Sequence, residues 1–179
     1  GEPDGTGETV NLAKLLCGSE GTLAIVTEAE VSLEPIPRTK AVALLTYDDF
    51  IDAMEDVQHI LAHDPAAVEA MDDVLLGLAA DTEEFEDVVG MLPEGTESAL
   101  LVEFYADSDD EGRQKVADLL ADRVPGVETE ADPREGAEGT TDAPVYAQDA
   151  MEAHDEERRA KFWKMRKAGM PILLSRTSD

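Results

Sequence analysis

Apolar residues in this chain come in short bursts separated by acidic or turn-forming stretches, and the spacing within each burst changes along the sequence. Lys40–Tyr47 (KAVALLTY) is nearly continuous in apolar character and reads as a buried strand. Asp48 or Asp49 then offers an N-cap to a helix whose apolar positions, Phe50, Ile51, Met54, Val57 and Ile60-Leu61, recur at helical spacing. Ala66–Met71 predicts a second strand, and Asp72 or Asp73 caps a short helix through Leu78. After the acidic stretch Asp81–Asp87 and the turn residues Pro93 and Gly95, Ser98–Tyr105 (SALLVEFY) carries the strongest strand signal. Ser108 or Asp109 caps a further helix with Val116, Leu119 and Leu120 on one face, and Val124–Glu128 is expected to be the last strand. The order β-α-β-(α)-β-α-β predicts an α+β fold, the ferredoxin-like split βαβ arrangement.

The flanks of this block read differently. Residues 1–8 are Gly-rich and polar, and Val10, Leu12, Ala13, Leu15 and Leu16 make an apolar cluster worth one or two helical turns. Leu23–Leu33 reads as β-rich, with Val31 and Leu33 alternating with Glu30, Ser32 and Glu34. Pro35 and Pro37 stop that run, so a domain boundary is drawn after residue 36, within 35–40. Beyond the acidic, Gly-containing loop 130–142, Ala147–Ala168 predicts one long helix, acidic in its first half and basic in its last, as the helix dipole favours. Gly169 and Pro171 are expected to end it, and Ile172-Leu173-Leu174 to start another strand.

Charge changes the picture more than length does. Fourteen Lys and Arg stand against 42 Asp and Glu, a formal net charge of −28. Self-repulsion opposes folding such a chain in dilute buffer, whereas at molar salt the screening length falls to about 3 Å. With 42% hydrophobic residues, this composition reads as adaptation to a salt-rich cytoplasm rather than as disorder. Nucleic acid is excluded as a partner, because phosphate binding needs a basic surface. The single cysteine, Cys17, excludes an internal disulfide, and no apolar run approaches 18 residues. The chain opens on Gly1 without an initiator Met and ends directly after an apolar run, so it is expected to be part of a longer polypeptide.

Candidate chemistry concentrates in Asn11–Ala29 (NLAKLLCGSEGTLAIVTEA). Gly18 and Gly21, three apart with Ser19 and Thr22 beside them, let a backbone approach a ligand closely and turn N–H groups toward phosphate or ring edges. By composition alone a turn before a strand is the favoured account. The residue order resembles the GSEGTLG-[IV]-[IV]-T signature that closes the FAD domain of PCMH-type FAD-linked oxidases, the vanillyl-alcohol-oxidase family. That resemblance implies FAD contacts from Gly18, Ser19, Glu20, Gly21, Thr22, Leu23, Ala24, Ile25 and Val26, mostly through backbone. Ala24 departs from the family, which usually has Gly there.

Val68–Asp72 (VEAMD), Leu101–Tyr105 (LVEFY) and Phe162–Gly169 (FWKMRKAG) are similar to cap-domain segments of a haloarchaeal-type subgroup of D-lactate, glycolate or D-2-hydroxyglutarate dehydrogenases. The resemblance implies that 1–36 is the end of an FAD-binding domain, its last strand region, and 37–179 an incomplete cap, or substrate, domain. It implies FAD as cofactor in the intact protein, a D-2-hydroxyacid substrate, and an iron–sulfur cluster where a fused C-terminal domain is present. A cytoplasmic enzyme, peripheral membrane association and a homodimer are further expectations for the intact protein. Trp163-x-x-Arg166 fits the pattern in which the Arg of such a helix holds the substrate carboxylate, a task suited to a planar two-pronged donor. A plain reading of Arg166 is a helix cation paired with nearby acids. The catalytic base and the metal-bearing histidines of such families are expected outside this chain, so on its own it should neither turn over substrate nor hold FAD. The alternative is a freestanding ferredoxin-like module that binds a small ligand or a protein.

Other groups attract less. His59 and His63 are spaced like a metal pair but lack a third ligand. His154 is expected to face solvent on a charged helix. Asp107–Gly112 imitates the start of a calcium loop, yet Lys115 falls where a ligand belongs and Asp118 where Glu does, so helix capping is preferred. Cys17 has only Lys14 near it to lower its pKa, and Gly5-Thr6-Gly7 lacks the third glycine of a dinucleotide fingerprint.

Overall fold

The structure, a computed structural model, describes residues 11–124, 126–137 and 144–176, with side chains in the last helix up to Lys167. The chain divides into two compact units, Gly1–Ile36 and Pro37–Asp179. In the first, Asn11 caps the short helix α1 (Leu12–Leu16) by accepting from the Ala13 and Lys14 N–H groups. No strand forms between Leu23 and Ile36, contrary to the β-rich reading. A strand needs a neighbour for its N–H and C=O groups, and no described residue provides one. Ile25, Leu33 and Ile36 are accordingly left almost fully exposed.

The second unit is built on four strands: β1 (Thr39–Tyr47), β2 (Ala67–Met71), β3 (Ser98–Ala106) and β4 (Asp149–Ala153). They lie in the order β2-β3-β1-β4, every neighbouring pair antiparallel, which is the split βαβ arrangement. Helix α2 (Phe50–Ile60) starts at Asp49, α3 (Asp73–Ala80) at Asp72 and α5 (Asp109–Arg123) at Ser108, each with its cap side chain accepting from the first turn. Glu111 reaches back to the Asp107 N–H at 2.9 Å, so the calcium-loop look-alike is a helix start. Helix α4 (Glu86–Val89) and α6 (Glu156–Arg176) complete the unit.

Both faces of the sheet are covered. Ala41, Ala43, Leu45 and Tyr47 of β1 and Leu100, Val102 and Phe104 of β3 face α2 and α5. Val42 and Leu44, with Ala99 and Leu101, face α3, α4 and α6 through Leu76, Phe85, Val88, Phe162 and Met165. Burial on both sides is why these strands are continuously apolar rather than alternating. Gly112 lets α5 lie against β1, since a Cβ there would stand 3.0 Å from the Ala41 Cβ.

Two expectations near the C-terminus are corrected. The fourth strand is Asp149–Ala153, not Val124–Glu128, and the long helix begins at Glu156 rather than near Ala147. DAMEA favours helix locally, but ladder bonds with β1 override that preference. Asp155 then accepts from the Arg158 N–H at 2.8 Å and starts α6. The helix passes through Gly169 and Pro171 and takes in Ile172-Leu173-Leu174, where a strand was expected. Proline removes one backbone bond from a helix without necessarily ending it.

On the α2/α5 side lies a buried polar cluster. Asp56 accepts from the Tyr47 hydroxyl at 2.8 Å and from Arg123 Nε at 2.9 Å, with Arg123 Nη2 also on it. Arg123 donates to the Pro144 carbonyl as well, pinning the loop that leads to β4. Burial, then the adjacent Asp56 carboxylate, pushes the Tyr47 hydroxyl far above its ordinary pKa, so it stays a donor. Arg123→Ala strands the buried Asp56 carboxylate and should cost about 3–5 kcal/mol. Tyr47→Phe, which leaves Asp56 its guanidinium, should cost about 1 kcal/mol. Urea unfolding at constant salt measures both, and an Arg123→Ala cost no greater than that of Tyr47→Phe would show that this cluster is not what joins α2, α5 and the loop.

Asp118, on α5, gives a pH signature. Burial alone would raise its carboxyl, but the Arg134 backbone N–H at 2.7 Å, the Arg134 guanidinium and the Gln114 amide outweigh that and hold it below its ordinary value of 3.8. A depressed folded pKa contributes stability that is present above 3.8 and is lost as pH falls through the folded value. The stability difference between wild type and Asp118→Asn should therefore be constant at neutral pH and shrink below pH 3.8. Denaturation midpoints across that range test it.

Candidate functional site

In the first unit, the turn after α1 carries the predicted flavin contacts. Gly18 and Gly21 sit at φ +80 and +81, and Glu20, between them, at φ +49. These left-handed angles are cheap for glycine and strained for glutamate. Around either glycine a Cβ would meet nothing within 4 Å, so the backbone angle and not crowding explains the residue choice. Thr22 closes the turn, its N–H and hydroxyl both donating to the Ser19 carbonyl at 2.8 and 2.6 Å. The Glu20 and Gly21 N–H groups have no acceptor among the described residues. Leu23, Ala24, Ile25 and Val26 follow as exposed, irregular chain. The turn thus offers consecutive unused amides on an open surface, which fits an oxyanion or a ring edge.

In the second unit, the α6-facing side of the sheet is apolar along most of its length and charged at one end. Register sets this end: Ala67 of β2 lies opposite Glu103 of β3, and Val42 of β1 opposite the same Glu103, with Lys40 opposite Tyr105 two residue pairs further out. Glu103 is only 4% exposed yet fully used. Its Oε1 accepts from Lys40 Nζ at 2.9 Å and its Oε2 from the Trp163 indole N–H at 2.7 Å. Two residues along β2 from Ala67, Glu69 holds Arg166, through Nε at 2.8 Å and Nη2 at 2.6 Å. Arg166 Nη1 has no partner among the described residues.

The neighbouring residues of α6 point elsewhere. Lys161 and Lys164 pair with Asp87 and Glu84, so part of the acidic stretch Asp81–Asp87 is tied to this helix. The hydrogen bond from Lys161 holds the Asp87 carboxyl below its usual range. His154 is buried beside β4 and not solvent-facing; its Nε2 meets Glu152 and its Nδ1 has no partner. His63 Nε2 lies 2.9 Å from Asp122.

Arg166 therefore sits where the α6 face turns polar, and the flavin-signature residues sit together in a turn of the other unit. The pattern did not single out Glu69 and Glu103 as partners of α6. Their signal was present: a carboxylate in the middle of an apolar strand, in VEAM and in VEFY, has to be answered by a donor from the layer above.

Among known proteins, the chain is 34% identical to a D-2-hydroxyglutarate dehydrogenase of Pseudomonas putida over 110 residues, 59% of this chain and 11% of that protein. It is 39% identical to the glycolate oxidase subunit GlcD of Bacillus subtilis over 95 residues, 52% of this chain and 19% of that protein. With GlcD of Escherichia coli it shares 30% identity over 167 residues, 91% of this chain and 28% of that protein. The chain thus spans well under half the length of these relatives. The family model of FAD linked oxidases, C-terminal domain, matches residues 36–178, and the chain belongs to that family.

Proposed function

We propose that this chain supplies the substrate domain, residues 37–179, and the closing segment of the FAD domain, residues 1–36, of an FAD-dependent oxidoreductase acting on a D-2-hydroxyacid. The observation that carries the reading is Arg166, held on α6 by Glu69 with a guanidinium nitrogen to spare, in a chain of the FAD-linked oxidase family. D-2-hydroxyglutarate dehydrogenases and glycolate oxidase subunits among the relatives support the substrate class.

FAD, held against the 18–22 turn, would supply the two-electron oxidising chemistry for the hydroxyacid. This chain's part is binding and orientation. Glu69 occupies Nε and Nη2, which fixes the guanidinium plane before substrate arrives, and Nη1 is left to donate to the substrate carboxylate. The free amides of Glu20 and Gly21 fit the cofactor's oxyanions, and the open space at Gly18 and Gly21 admits them. The exposed aliphatic run from Leu23 to Ile36 supports a first unit completed by further strands of a larger FAD domain. The acid-rich surface supports a salt-rich cytoplasm, where its self-repulsion is screened.

Full-length protein, purified and examined anaerobically, should be yellow and should bleach with D-lactate, glycolate or D-2-hydroxyglutarate. A colourless protein that FAD fails to reconstitute would end this reading. Arg166→Lys keeps the charge, but one ammonium cannot be held by Glu69 through two nitrogens and still present a third to the substrate, so KM for the hydroxyacid should rise about 10- to 100-fold. An unchanged KM would return Arg166 to the role of a helix cation paired with an acid.

A further inference from the structure

Beside the Glu69–Arg166 pair, the charged end of the α6 face opens into a groove of about 700 Å³ whose walls include Arg38, Lys40, Glu103, Arg159, Trp163 and Lys167. Four of the chain's fourteen basic side chains face this one groove, in a chain with 42 acidic ones. Only two carboxylates line it, Glu103 and Glu156, and Glu103 is already taken by Lys40 and the Trp163 indole.

Elsewhere most of the described cations are neutralised, Lys14 and Arg158 excepted. Arg113, Arg134, Lys115, Lys161 and Lys164 each reach a carboxylate. The groove differs. Arg159 and Lys167 make no salt bridge among the described residues; Arg159 donates to the His154 carbonyl and Lys167 lies 5.7 Å from the Trp163 ring centre. Arg38 only approaches Asp107 at 4.0 Å, both side chains mostly exposed, a contact worth little. Where acids outnumber bases three to one, two cations without a carboxylate in the same groove stand out.

Arg159, Trp163 and Lys167 follow at i, i+4 and i+8 and so form one stripe of α6, cation, aromatic ring, cation. The two cations are about 12 Å apart along the helix axis. One carboxylate does not serve both, but two anionic groups joined by a carbon or phosphate skeleton do, with that skeleton lying against the ring and Arg38 and Lys40 closing the opposite wall.

We infer that this groove binds a small polyanion carrying two or more carboxylate or phosphate groups, at a place adjoining Arg166 but separate from it. The site needs neither flavin nor turnover, so its success or failure is independent of the oxidoreductase reading. The test uses full-length protein at constant ionic strength, exchanging potassium chloride for citrate in one titration and for inorganic pyrophosphate in another, with heat of binding as the readout. Saturable binding of either is expected; citrate alone assigns a polycarboxylate and pyrophosphate alone a phosphate ligand. Arg159→Gln with Lys167→Gln should weaken that binding at least about tenfold, each lost charge-assisted contact being worth that much. Arg113→Gln with Lys161→Gln removes the same charge outside the groove and should change it less than about twofold. Absence of saturation with both anions, or equal weakening by the two double variants, overturns the inference. Either double variant is exposed enough to fold, and an unchanged urea midpoint verifies that it has.

Discussion

A sheet buried on both faces has no interior place for an unanswered charge, and that constraint organises the second unit. The strands are sandwiched between α2/α5 and α3/α4/α6, so each charged or phenolic side chain buried on them needs a partner, most often from a covering helix. On one side Tyr47 meets Asp56 and, through it, Arg123. On the other Glu103 meets Lys40 and Trp163, and Glu69 meets Arg166. Both groups act as keys that set how helix and strand register, because a shift by one residue would bury a carboxylate against an apolar surface.

The two groups differ in access, and this separates scaffold from site. Arg123 and Asp56 are closed to solvent with every strong donor engaged. Such a pair contributes specificity of packing and has no capacity left for a ligand. Arg166 and Glu69 are each about one-third exposed. Here the guanidinium is oriented by its partner yet still reachable. Helix α6 brings these functions together by dividing its surface: Phe162 and Met165 enter the core, Lys161 and Lys164 fasten the acidic stretch, and Arg159, Trp163 and Lys167 line the groove.

How much of this could be read from the residues follows from the range of the forces involved. KAVALLTY and SALLVEFY are apolar because both their faces are buried, and that property is local, so the two central strands and the caps at Asp49, Asp72 and Ser108 were legible. DAMEA is a strand only because the edge of β1 accepts it, a long-range fact with no local trace. The reverse failure occurs at Leu23–Leu33, where alternation is present but the neighbour that would turn it into a strand is not among the described residues. Arg166 became a candidate through the resemblance of Trp163-x-x-Arg166 to a helix of the family; its partner Glu69, 97 residues away in sequence, was not legible.

That partner bears on the choice between an anchoring arginine and a merely structural one. A guanidinium free on an exposed helix loses rotamer freedom when it binds, which subtracts from affinity. Glu69 has already imposed that loss during folding and, by holding Nε and Nη2, leaves a single nitrogen in a defined direction. The cost is partial neutralisation of the charge a substrate carboxylate would feel. In a chain of net charge −28 that cost is offset locally, because the adjoining groove gathers four basic side chains, of which Arg159 and Lys167 have no carboxylate partner among the described residues. If the proposed organic-acid substrate is right, an acidic protein has to keep some positive charge unspent beside its anchor, and Arg159 and Lys167 of α6 do so.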